Sequence, residues 1–174
     1  MFMAAPIFTQ HEADGLIKAK KSAIHEAWIT KQQDRQNSIH SVVLEGETDD
    51  EFSIPLKISF YHNRAIGSTN ILLEARMAGR PWEGICRYDI HDSPHKNLRE
   101  WMHPPDFIGA GVPHRHLYSE RADRELGSWH ARAEILDSTA CSSPERLLGT
   151  FMKDMKFSFT DPQSHQSLFN WINE

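Results

Sequence analysis

A chain of 174 residues with 39% hydrophobic and 25% charged side chains has the composition of one globular domain, read here as 1–174. That balance excludes a disordered tail, a collagen-like repeat and a membrane span. The formal net charge of -5 argues against a protein held mainly on nucleic-acid phosphates.

Met1 to Thr9 are apolar but lack a basic n-region, and the stretch is too short for a secretory leader. Cys86 and Cys141 form no C-x-x-C pair, so both are expected as reduced thiols in a cytoplasmic protein. Thr9-Gln10-His11-Glu12 has the form of a capping box, and Leu16, Ala19, Ala23 and Ala27 follow at helical spacing. The pattern predicts a helix over about 10–30. Lys18, Lys20 and Lys21, with Lys31 and Arg35, read as its solvated basic face.

Strands follow. Val42-Val43-Leu44 is a short β-branched run, and Gly46 to Asp50 is turn chemistry. Phe52, Ile54, Leu56, Ile58 and Phe60 alternate without a break, and Pro55 on the opposite face points to an edge strand or a bulge. Ile71, Leu73, Ala75 and Met77 mark a third strand, with Asn70, Glu74 and Arg76 outward. A fourth runs from Gly84 to His91. The Pro/Gly-rich stretch 92–113 holds one helical turn near Leu98 to Met102, and strands are expected over 112–118 and 129–136. Ser143-Pro144 and Asp161-Pro162 each start a helix. The fold class is therefore α+β. An antiparallel meander of five or six strands has the N-terminal helix and two C-terminal helices packed on one face.

Eleven histidines are the unusual feature, and His91, His95, His103, His114, His116 and His130 crowd into one stretch. Alternation puts Arg87, Asp89 and His91 on one face of the fourth strand, and His114, His116 and Tyr118 on one face of the fifth. If these strands pair, the two triples meet, with His95 and Asn97 in the loop between them. Residues i and i+2 of a strand are about 6.6 Å apart, so two imidazoles of a His-x-His can reach one ion. Asp89, His95 or Glu120 would supply the third ligand of an open zinc, manganese or iron site. Without a metal, the same imidazoles could serve as general base and acid on a ribose phosphodiester, with Arg87 on the phosphate. The other reading of the residues is a polar sheet face with incidental histidines and an Arg87–Asp89 surface pair.

The order Arg87-x-Asp89, His95-x-Asn97 and His114-x-His116-x-Tyr118 resembles a group of small uncharacterised bacterial proteins with these motifs in the same order. That resemblance covers about 70–135. It implies that these residues belong together, and it suggests toxin–antitoxin or phage-defence association. His114-x-His116, Glu120 and Gly127 are also similar to the first metal motif of the cupins, which implies His114, His116 and Glu120 as metal ligands; no second cupin motif is present.

Two functions are expected from these features. The first is a small hydrolase acting on a phosphodiester or nucleotide. His114, His116, Asp89 and His95 would be its catalytic or metal-binding residues, and Arg87, Asn97 and Tyr118 would contact substrate. The second is a non-catalytic antitoxin or inhibitor that binds a protein partner through acidic surface such as Glu45, Glu47 and Asp49-Asp50-Glu51.

Overall fold

A computed structural model describes residues 6–34, 39–90, 94–96 and 107–160. Helix α1 (Gln10–Lys18) starts at the expected capping box: the Thr9 side chain accepts from Glu12 N, and the Glu12 carboxylate accepts from Thr9 N. That carboxylate also takes a bidentate pair from Arg80, at 3.0 and 3.2 Å, which holds it below its ordinary pKa.

The helix stops at Ala19, where the backbone turns extended, and the second half of the predicted helix is strand β1 (Lys21–Asp34). The helical reading rested on evenly spaced alanines, whereas Ile24, Trp28, Ile29 and Thr30 are strand formers. A ladder with β2 (Ile39–Thr48) decided the contest. Lys21 is fully buried rather than solvated. Its Nζ donates to Ile17 O, Ala19 O and Met155 O at 3.0, 2.7 and 2.8 Å, closing the end of α1 and tying it to the far end of the chain.

The turn predicted at 46–50 lies at 49–54 instead, where Asp50 Oδ1 accepts from Thr48 Oγ1 and Phe52 N. Phe52, expected on the core face, is 73% exposed. Strand β3 (Pro55–Asn63) keeps the alternation at Leu56, Ile58 and Phe60, all buried. It is an interior strand and not an edge; Pro55 is accommodated because it is the first residue, where a missing N–H costs the ladder least. Next come β4 (Ser68–Ala75), β5 (Glu83–Ile90), the two-residue strands β6 (His95–Lys96) and β7 (Phe107–Ile108), and β8 (His114–Tyr118).

An unforeseen helix, α2 (Glu120–Leu126), is capped by Ser119 and ends at Gly127 in the left-handed region. Strand β9 (His130–Ile135) and helix α3 (Pro144–Asp154) stand where predicted, and a short β10 (Phe157–Phe159) follows. The turn expected at 98–102 and the helix expected from 161 lie outside the described residues.

Among the described residues the main sheet has eight strands in the order β10-β1-β2-β3-β4-β5-β8-β9, and β6 and β7 form a separate pair. The expected antiparallel meander runs from β2 through β5, β8 and β9, but the sheet exceeds the five or six strands expected: β1 joins it where a helix was expected, and β10 runs parallel to β1, so the sheet is mixed. Helices α1 and α3 supply Leu16, Leu147 and Phe151 to one core with Leu44, Phe60, Ile71, Leu73 and Tyr88 of the sheet. Arg115 locks α3 onto that face, pairing with Asp154 at 2.9 Å and donating to Tyr88 Oη at 3.3 Å. No helix among the described residues is long and apolar enough to cross a membrane. The opposite sheet face carries His114 and His116.

Candidate metal centre

Strands β5 and β8 pair antiparallel with Asp89 opposite His114 and Arg87 opposite His116. Paired residues of neighbouring strands project to the same side, so Arg87 and Asp89 of one predicted set meet His114 and His116 of the other. Asp89, His114 and His116 are all buried, at 1–3% exposure. One ligand atom from each lies within 4.8 Å of the others.

The contacts show how each group is aimed. His114 Nδ1 stands 2.7 Å from Val112 O. A carbonyl oxygen only accepts, so Nδ1 carries the proton and the Nε2 of a neutral ring presents its lone pair. That Nε2 faces Asp89 Oδ2 at 3.7 Å, and His116 Nε2 faces the same oxygen at 3.9 Å. These separations are too long for a shared proton. Two ligands each about 2.1 Å from one ion can stand up to about 4.2 Å apart, so an ion fits between Asp89 Oδ2 and either imidazole. The histidine rings meet edge to face with centroids 5.2 Å apart.

The carboxylate of Asp89 is held at both ends. Asn70 Nδ2 donates to Oδ1 at 2.5 Å, and Arg87 Nε donates to Oδ2 at 2.7 Å. A metal-bound imidazole fixed through its other nitrogen, with a carboxylate fixed by neighbours, is the usual outer support of a metal centre. The Arg87 side chain is 26% exposed and marks the side from which this group meets solvent.

Other expected residues stand apart. Tyr118 does not join the histidines: the pairing with β9 shifts register between His116 and Tyr118, and its hydroxyl lies 2.7 Å from Phe8 O and 3.0 Å from Asp123 Oδ2. Burial raises this phenol above its ordinary pKa. Glu120 is not a ligand of the cluster. It opens α2, where its carboxylate accepts from Gln10 N at 2.8 Å and pairs with Arg124. Among the described residues the group that could hold an ion is Asp89, His114 and His116, without the Glu120 of the cupin-like set.

His95 lies on β6, whose backbone pairs with Ile108; Asn97, His91 and His103 lie outside the described residues. His62 is buried, its Nδ1 3.0 Å from Thr69 Oγ1. The Cys86 thiol is buried and pushed up to about 12 by that burial, which leaves it unreactive.

Asn70 is the site residue that sequence reasoning missed. It was placed on the outward face of its strand, yet only register shows that Asp89 is its neighbour. A separate cleft of about 710 Å³, lined by Phe52, Ile54, Pro55, Met77 and Arg76 among others, shares no residue with the Asp–His–His group. Compared with known proteins, the chain matches no family model, no curated protein and no solved structure.

Proposed function

We propose that this protein is a metal-dependent hydrolase of phosphodiester or nucleotide substrates. Asp89, His114 and His116 would hold one divalent zinc, manganese or iron ion. The observation that carries this reading is that His114 Nε2 and His116 Nε2 both face Asp89 Oδ2, at 3.7 and 3.9 Å, with His114 Nδ1 secured by Val112 O. Two imidazoles and one carboxylate leave coordination positions for water and substrate, the pattern of catalytic rather than structural sites. Once bound, such an ion supplies Lewis acidity and brings a coordinated water into the neutral pKa range.

The chain's own residues divide the remaining work. His114 and His116 turn lone pairs inward, and Asp89 offsets the ion's charge. Arg87, the member that reaches solvent, receives the anionic group of the substrate. Metal-free acid–base catalysis by the histidines is less well supported. Nδ1 of His114 is committed to a carbonyl, and the remaining Nε2 faces Asp89 Oδ2, as does Nε2 of His116, so both rings are turned toward a shared point beside the carboxylate rather than toward a separate acid and base position.

The test is metal analysis of purified protein, together with hydrolysis of bis(p-nitrophenyl) phosphate. One transition ion per chain is expected, with binding and turnover both lost in H114A, H116A and D89N. Arg87→Gln should bind the ion more weakly, as loss of an outer partner of Asp89 does, and at saturating metal should still lose about ten- to a hundredfold in kcat/KM, the worth of a charge-assisted hydrogen bond. Metal content and hydrolysis that survive in the H114A/H116A double variant would sink the proposal.

A further inference from the structure

The two oxygens of Asp89 are turned in different directions. Strand β5 lies between β4 and β8. Oδ1 is drawn toward β4 by the amide of Asn70, which is paired with Asp89 in the ladder. Oδ2 faces the two imidazoles of β8 and is held by Arg87 Nε at 2.7 Å. Asp89 is 1% exposed, so its carboxylate cannot swing to water without giving up these bonds. Chelation through both oxygens would require Oδ1 to leave Asn70 and rotate toward β8.

From this geometry we infer that Asn70 is a positioning residue: it makes Asp89 a one-oxygen ligand and so selects a transition ion over calcium or magnesium. The inference rests on reading Asp89, His114 and His116 as metal ligands. Calcium takes six to eight oxygens and commonly a bidentate carboxylate, and magnesium is an oxygen-ligand ion that retains its waters. A set of two imidazole nitrogens and a single carboxylate oxygen suits Zn²⁺, Co²⁺, Fe²⁺ or Mn²⁺. Arg87 alone would not impose this, because its bond is to the oxygen that already faces the ion. The donor on Oδ1 is what prevents the second oxygen from joining.

Metal-free wild-type protein and Asn70→Leu, which has similar bulk and no donor, would be titrated with Co²⁺, Zn²⁺, Ca²⁺ and Mg²⁺. Calorimetry and the visible absorption of bound Co²⁺ are the readouts. Wild type should bind Co²⁺ and Zn²⁺ one to one and take up neither Ca²⁺ nor Mg²⁺ at the same concentrations. The leucine variant should bind Co²⁺ about 10–100-fold more weakly, the usual cost of losing an outer-shell partner. Its Co²⁺ spectrum should shift to that of a higher coordination number as Asp89 becomes bidentate.

A merely structural asparagine would lower the melting temperature and leave that spectrum unchanged. An unchanged spectrum with unchanged Co²⁺ affinity therefore overturns the inference. If the variant does not fold, X-ray absorption of the wild-type zinc protein decides: a single carboxylate oxygen supports the inference, and a chelating carboxylate overturns it. Failure of wild type to bind any of the four ions fells the metal centre and this inference together. That outcome is recognisable because it appears before any substitution is made.

Discussion

Lys21 and Asp89 are both buried charges, and each is kept by a different arrangement. Asp89 is surrounded by donors from Asn70 and Arg87 and by two imidazoles. Lys21 has three carbonyl acceptors, yet burial lowers its pKa from 10.5 to about 8. Between those values the unfolded chain keeps a proton that the folded chain has lost. Stability from this group therefore rises with pH across the window and is constant below it. Cys86, Tyr88 and Tyr118, all raised by burial, act in the opposite sense as pH climbs, because the unfolded state loses their protons first. Comparison with Lys21→Met removes their contribution. In urea titrations, wild type should gain on the order of 3 kcal/mol relative to the variant from pH 8 to 10.5. A difference that stays flat over that range would show that the carbonyls keep the amine charged.

At the scale of the elements, two glycines make opposite predictions. Gly46 lies inside β2, where an added Cβ would meet Ser22 O of β1 at 2.6 Å, so the two backbones approach more closely than any side chain allows. Gly15 lies on α1 with nothing within 4 Å of such a Cβ. Gly46→Ala should cost about 1–3 kcal/mol through forced backbone movement. Gly15→Ala should add about 0.5–1 kcal/mol through helix propensity. Denaturant midpoints of the two variants test both signs, and a neutral Gly46→Ala would mean that β1 and β2 separate freely. This close approach also explains a misplaced turn. Gly46 reads as turn chemistry in the sequence, but it is a strand residue whose lack of a side chain lets β1 lie beside it. The same ladder converted the chain from Lys21 to about residue 30 from predicted helix to strand. By contrast, the alternation at Leu56, Ile58 and Phe60 was fully legible, because a one-residue slip would turn all three to the wrong face.

For the whole molecule, the candidate ion would join β5 to β8 across the 91–113 connection and bind only when those strands are paired. Zn²⁺ at a hundred times its dissociation constant should then stabilise the fold by about 2.7 kcal/mol. For a chain of this size that is a rise of roughly 5–10 °C in Tm. A chelator should reverse the rise, and D89N should abolish it. A melting temperature indifferent to Zn²⁺ in wild type would count against a folded-state metal centre. Local patterns in the sequence determined the class of the fold, the capped starts of α1 and α3, the alternating strands, and the candidate residues Asp89, His114 and His116. Those features depend on neighbours a few positions apart, so the linear order carries them. Tertiary structure alone decided the parallel β10, the strand fate of residues 21–34 and the choice of Asp89 over Glu120. It also decided the place of Asn70 behind the carboxylate. Each of these depends on which distant strand lies alongside, and no local pattern encodes that register.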